Sequence, residues 1–450
     1  MLAGVLLAWR PPPQASAWHW SYPAYVPYTM AEGDTNLLTD RNGEHAIGVT
    51  EYNDGSAKAY LSVLSQRRGN DPGMYDYEYA DWGWDGSIFH WDRADSFPDY
   101  VEQYGQDHWL TRGQVALNSV NKLWGAIWRE VGGVNGGKPG TAVASNQPVT
   151  EQDYRYWASP QMWTEYNRDS CSATVLLGDT VVNVSTIYYE NADPGYHLMC
   201  WSNNARGRGG WSEMSAASPW AYDTGVYTRP TLAVDADHRL HLLYDDNSDY
   251  YPGIKYRFST NRGATWDSLG STPFGSGIAM DQPCVAALGD FVFGCYVSGN
   301  TIAYRYSTDN GANWVPQIGS SPSAVPFFGD AVPSGVTIDR PNVTLVTIGG
   351  RPALLLVVRM KVAPLGQEVV WAIRGMSARL IVGDDTILVW YPQPAICLDR
   401  EVTGPDGRLD PSIAGVNFTH GNAQYPNACY VASVPWSQGK RGTLPYFLTG

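Results

Sequence analysis

Tyr304–Val315 reads YRYSTDNGANWV, and Tyr256–Asp267, 48 residues earlier, reads YRFSTNRGATWD. Both carry the pattern Ser-x-(Asp or Asn)-x-Gly-x-x-Trp, first as Ser259, Asn261, Gly263 and Trp266, then as Ser307, Asp309, Gly311 and Trp314. These residue types suit a tight loop between two strands. A short carboxylate or amide accepts backbone N–H groups of its own loop, glycine supplies a positive φ, and tryptophan packs inward. The surroundings repeat as well. Arg229–Trp266 and Gln282–Trp314 each read as three strands separated by two turns, ending in the same phrase. Ser170–Trp211 is a looser third copy, Arg340 opens a fourth that lacks the phrase, and Arg112 and Thr35 open a fifth and a sixth.

A period of roughly 50 to 60 residues with about four strands per unit predicts an all-β chain folded as a β-propeller of four-stranded blades. Such a blade cannot bury both faces alone, so each covers its neighbour around an axis. The copies favour six blades, with seven as the alternative. The stretch after Leu380 decides between them, because PNACYVASV (Pro426–Val434) suits either a further blade or the completion of the first. The expected organisation is an N-terminal Pro- and aromatic-rich arm over 1–33 and one propeller over 34–450. Within it, an aromatic-rich insertion over about 66–109 joins the first two blades.

Composition agrees with short strands and many turns: 13% aromatic residues, 47 glycines and 30 prolines. The formal net charge of −14 and the absence of a Lys/Arg-rich run argue against nucleic acid as a partner. No apolar run of about 18 residues predicts a transmembrane helix. The six cysteines show no zinc spacing, and no metal is expected from them. Cys284 and Cys295 would face each other across a Gly289-Asp290 hairpin, as a disulfide or as two buried thiols. A short apolar start ending in Ala15-Ser16-Ala17, together with sequons at Asn183, Asn342 and Asn417, leads to an extracellular or cell-surface expectation.

The repeated phrase resembles the Asp box of the BNR-repeat propellers, of which sialidases are the best-known members. The copy at Ser307 departs only in Asn313, where that family usually has Thr, and the copy at Ser259 only in Asn261, where it has Asp. The resemblance implies a structural role for the box, at the end of the ring opposite the mouth. It also implies where a ligand carboxylate would be held, since sialidases use three arginines at the mouth, one often within an Arg-Ile-Pro. Here the equivalent positions are Arg112, Arg229, Gln282 and Arg340, the last three followed by proline. A guanidinium fork matches a carboxylate bidentately. The competing expectation is that each arginine pairs with a nearby acid, such as Asp339 beside Arg340, and ties blades together. The Tyr–Glu nucleophile pair of sialidases has no assignable counterpart; Glu165 and Tyr166 are merely adjacent.

Catalytic candidates near the axis are His108, Tyr227 and Asp339, as a general acid or as the base a polysaccharide lyase needs beside its arginines. Trp82, Trp84 and Trp91 in the insertion are candidates for stacking on sugar rings. Asp245, Asn247 and Asp249 have the outline of a calcium loop without its glycine and distal glutamate, so a solvated turn is the stronger reading. Two functions follow. One is an enzyme or lectin-like module for acidic glycans, a glycoside hydrolase or a polysaccharide lyase if catalytic, with an open and positively polarised mouth. The other is a non-enzymatic surface protein that self-assembles through its terminal arm into homo-oligomers.

Overall fold

The computed structural model describes the backbone of the strands given below. It describes side chains chiefly over 229–246, 252–268, 280–328 and 333–362, with parts of 173–202, 372–381, 386–391 and 411–417. Among the described residues there is no helix, and the strands form antiparallel sheets.

Three consecutive sheets hold most of the described side chains. The first runs Tyr227–Val234, Leu240–Asp246, Gly253–Ser259 and Gly275–Ser276, in sequence order across the sheet. The second runs Met280–Leu288, Phe291–Ser298, Thr301–Ser307 and Ser323–Ala324. The third runs Val336–Ile348, Arg351–Val362, Val370–Ile381 and Ile387–Pro392, with Ile396–Asp399 also paired to its third strand. These are three of the sequence repeats, strand for strand.

The second strands show why the sheets stack. Leu240–Asp246 is buried along its whole length. Alternate residues serve opposite neighbours: Leu240, Leu242 and Tyr244 pack towards Val182, Val184 and Leu198 of the preceding sheet, whereas Leu243 packs towards Val292 and Tyr296 of the following one. In Phe291–Ser298 the division repeats, with Phe293 and Cys295 joining Leu354, Leu356 and Val358 of the next sheet. A strand covered on both faces reads as a near-continuous apolar run, as LHLLY, broken only by His241, and FVFGCYV do.

Among the described residues, seven sheets of four or five strands occur, plus one short two-stranded hairpin. One inner strand from each of the seven, beginning at Ala46, Gln114, Ser172, Tyr227, Met280, Val336 and Ser412, touches the next in that cyclic order, and Ser412–Asn417 returns to Ala46–Glu51. The inner strands therefore line an axis, the layout of a β-propeller.

Two sequence expectations are revised. Within the predicted insertion, Tyr75–Trp84 and Phe89–Trp91 are strands, paired in order onto Ala59–Gln66. They are the outer strands of their own sheet, as the two-residue spacing of Tyr75, Tyr77 and Tyr79 permits. Asn427–Ser433 does not complete the Ala46 sheet: it pairs with Ser412–Asn417 and Leu444–Thr449. From the arm, His19 and Trp20 pair with Thr449 and Leu448 at the outer edge of that same sheet, so here the arm meets its own chain.

Two of the three sequons are structural. Asn183 is 1% exposed in the middle of a central strand, and the Oδ1 of Asn417 accepts the Thr347 N–H at 2.7 Å, joining two sheets. Asn342 lies on an innermost strand. Cys284 and Cys295 face each other in register as buried thiols, not joined by a disulfide. Burial and then the neighbouring Cys284 raise the Cys295 pKa.

Candidate functional site

The two ends of these sheets are built differently. At one end lie the turns after Ser259 and Ser307. In each, the serine hydroxyl accepts the glycine N–H, at 2.8 Å from Gly263 and 2.9 Å from Gly311, and donates to Asn261 Oδ1 at 2.9 Å or Asp309 Oδ1 at 2.7 Å. That oxygen in turn accepts the N–H of the residue four positions after the Asn or Asp, Thr265 or Asn313, at 2.8 Å in both turns. Gly263 (φ 91°) and Gly311 (φ 79°) adopt the conformation the sequence predicts for them. Partial burial works to raise the Asp309 pKa, but hydrogen bonds from the backbone and side chain of Asn313, the Ser307 hydroxyl and the backbone of Ala312 overcome it and hold the carboxyl below its ordinary range.

Each turn also clamps the preceding sheet. Trp314 is buried and meets Tyr256 and Phe274 edge-on, with ring centroids 4.9 and 4.8 Å apart. A Cβ on Gly311 would sit 2.3 Å from the Tyr256 hydroxyl, so only glycine fits. That hydroxyl is held at 2.8 Å from His241 Nδ1, whose Nε2 lies 3.1 Å from Asp235. Burial lowers the His241 pKa, opposed by the Asp235 carboxylate.

The opposite end is the mouth. On each first strand one residue is inserted into the ladder, between Thr228 and Thr231, Asp281 and Cys284, and Asp339 and Asn342. The inserted segment contains Arg229, Gln282 or Arg340, at φ 52°, 54° and 54°. Non-glycine residues seldom adopt this conformation, and a following proline restricts them further. A bulge re-aims a side chain, and here it does so identically in three successive sheets.

The charges at this end are interlocked. The Arg229 guanidinium contacts the Asp281 carboxylate of the next sheet and lies 3.7 Å from Asp245 of its own. Asp281 Oδ1 also accepts the Gln282 N–H at 2.7 Å, and Gln282 Oε1 accepts the Arg340 N–H at 2.6 Å from the sheet beyond. Asp339 takes a two-pronged contact from Arg359, with Nε at 2.7 Å and Nη2 closing the fork. Lys255 lies 3.5 Å from Asp246. Among the described residues of this end, five cations (Arg229, Lys255, Arg340, Arg359, Lys361) lie among four acids (Asp245, Asp246, Asp281, Asp339). Over these sheets the expected positively polarised funnel is a rim of interlocked charges with one cation in excess.

The structure brings Arg229, Gln282 and Arg340 to one rim, as their alignment predicts. Asp339 does not pair with the adjacent Arg340 but with Arg359, because neighbours along a strand diverge whereas register partners meet. Tyr227 begins the first strand, in register with Asp246. His108 is in the strand His108–Leu110, paired with Val131, and Trp82, Trp84 and Trp91 are in the outer strands already described; their side chains lie outside the described residues. So do Arg112, Asn247 and Asp249. Among the described residues no group of His, Cys, Asp and Glu is arranged to hold a metal ion. Sequence reading missed Asp281 and Arg359. The available signal was the repeated Asp-(Gln/Arg)-Pro at Asp281 and Asp339.

Fold and rim together define a β-propeller with a polar, charge-paired mouth. No family model and no curated relative matches the sequence. Solved structures similar to it include three enzymes. An intramolecular trans-sialidase from Ruminococcus gnavus is 13% identical over 90% of this chain and 94% of its own, at a TM-score of 0.44. An α-L-arabinofuranosidase from Fusarium graminearum is 11% identical over 96% and 98%, at 0.46. An α-L-arabinanase from Penicillium chrysogenum is 11% identical over 79% and 98%, at 0.44.

Proposed function

We propose that this chain is a seven-bladed, Asp-box propeller that recognises glycans at the mouth, with Arg229 and Arg340 reading a carboxylate on the sugar. The observation that carries the reading is the bulge repeated in three sheets. It aims Arg229, Gln282 and Arg340 from equivalent places at the cost of a backbone conformation worth about 1–3 kcal/mol each. Strain of this kind persists where the side chain it presents is used. A guanidinium offers the planar donor fork a carboxylate requires, and each charge-assisted bond contributes about 1.5–3 kcal/mol. Asp245 and Asp339, which lie beside arginines, complete the alternating donors and acceptors that a polyhydroxylated ligand needs. An extracellular site of action belongs to this reading, as does hydrolysis or elimination at the bound sugar.

The test is a binding and turnover screen with sialosides, uronate polysaccharides and neutral arabinan, comparing wild type with Arg229→Ala and Arg340→Ala. Binding of the acidic glycans that both substitutions abolish supports the reading. Equal binding of arabinan by all three proteins would move the ligand away from the arginines, and no binding of any glycan would sink the reading.

A further inference from the structure

Arg229 contacts a carboxylate from the neighbouring sheet, that of Asp281. Its two acidic neighbours differ. Asp245 is 1% exposed and fixed within the same sheet by its register opposite Thr228, so it stays where it is when a ligand arrives. Asp281 is 39% exposed, flanks the bulge of the next sheet, and contacts the guanidinium from that sheet. Its contact reproduces what a ligand carboxylate would make. The Gln282 N–H steadies one Asp281 oxygen at 2.7 Å, and the Gln282 side-chain amide lies 3.4 Å from the other. An Asp281 carboxylate leaving Arg229 would therefore keep hydrogen bonds to its own bulge.

We propose that Asp281 is an internal competitor. It occupies Arg229 in the unliganded protein and is exchanged for the carboxylate of an entering sugar, so that it sets a threshold for the acids this mouth accepts. The inference rests on the acidic-glycan reading above. Exchange breaks one guanidinium–carboxylate contact and forms another, with no net change in charge at Arg229. A weakly held or poorly aligned acid fails against a partner already in place, whereas an acid with further sugar contacts succeeds. Asp281 is thus a selectivity-setting residue, distinct from the arginines that hold the ligand.

The experiment has one arm that needs no ligand. Arg229 labelling by phenylglyoxal, followed by peptide mass spectrometry, is measured in wild type and in Asp281→Asn, which retains the oxygen that accepts the Gln282 N–H. Arg262, exposed in the turn at the opposite end, is the internal reference, and buried Arg305, donating to the carbonyls of Phe274, Pro316, Gln317 and Ser320, is the unlabelled control for an intact fold. Labelling of Arg229 is expected to rise about fivefold or more against Arg262; an unchanged rate overturns the proposal. The second arm measures affinity for N-acetylneuraminate and D-glucuronate by calorimetry. A gain of about tenfold in Asp281→Asn, lost again in Asp281→Asn with Arg229→Ala, supports competition. Weaker binding in Asp281→Asn overturns it, making Asp281 a strut that positions Arg229. Increased labelling with no binding by either protein keeps the internal contact and removes the acidic-glycan reading instead. Asp281→Ser, which offers a hydroxyl to the Gln282 N–H, repeats both arms should Asp281→Asn not fold.

Discussion

The two ends of one sheet solve the same problem with opposite means. At the turn end, each serine, its Asp or Asn partner and the glycine satisfy one another within five residues, and the turn then presses a tryptophan or glycine onto the sheet before. At the mouth end, the bonds cross from sheet to sheet, Arg229 to Asp281 and Arg340 to Gln282, through residues in a disfavoured backbone conformation. The first end is built from local turn bonds and is braced by Asp237 and Arg239 of the preceding sheet, which both bond to Asn310. The second is charged, strained and dependent on its neighbours. Stability is therefore concentrated at the turns and adaptability at the rim, and substitutions at the two ends should separate cleanly in their effects.

The largest expected effect is at the turn end. Trp314→Ala should cost about 3–5 kcal/mol, the usual loss for deleting a buried aromatic, read as a fall in the denaturation midpoint with an unchanged slope. A loss below about 1 kcal/mol would mean the turn is not the clamp between sheets. Next comes Arg340→Ala. The bond to Gln282 is made by the backbone N–H and survives the substitution, so the loss of stability should be smaller than in Trp314→Ala, while on the proposed reading acidic-glycan affinity should drop about tenfold or more for one lost charge-assisted bond. Equal losses of stability and binding would erase the contrast between the ends.

A pH series sharpens the comparison further. The folded state lowers the His241 pKa below its ordinary 6.5, chiefly by burial, so the unfolded chain takes up the proton first as pH falls. Stability should therefore decline with falling pH from about 6.5 downward, and His241→Gln should flatten that limb in a denaturant titration. The smallest effect is expected for Asp309→Asn, within about 0.5 kcal/mol at neutral pH, since Asn261 already performs the same task in the sister turn. The folded state also holds Asp309 below its ordinary 3.8, so its contribution is present above that value and lost as pH falls through the lower one. Asp309→Asn should remove that acid dependence and nothing else.

The turn end was legible because its bonds are local: a side chain reaching a backbone two to four residues away leaves a fixed spacing in the chain. The bulge positions were legible for a related reason, as Arg229, Gln282 and Arg340 each precede a proline at the same point of a repeat. What they touch was not. Arg229 and Asp281 are separated by most of a blade, and only the stacking of sheets brings them together. Asp339 misled for want of a register: its sequence neighbour is Arg340, but the residue opposite is Arg359. The closing sheet was obscured because it is assembled from both ends of the chain, His19–Trp20 and the strands after Ser412.

The burial of Asn183 has a practical consequence for making the protein. Its Asn-Val-Ser is a glycosylation acceptor only while the chain is unfolded, since the finished sheet leaves the asparagine 1% exposed. In a eukaryotic secretory host, sugar transfer and folding would race on the nascent polypeptide. A molecule modified there could not close that strand between its neighbours, so yield would be set by which process finishes first. Removing the serine by Ser185→Ala would spare the asparagine and end the race.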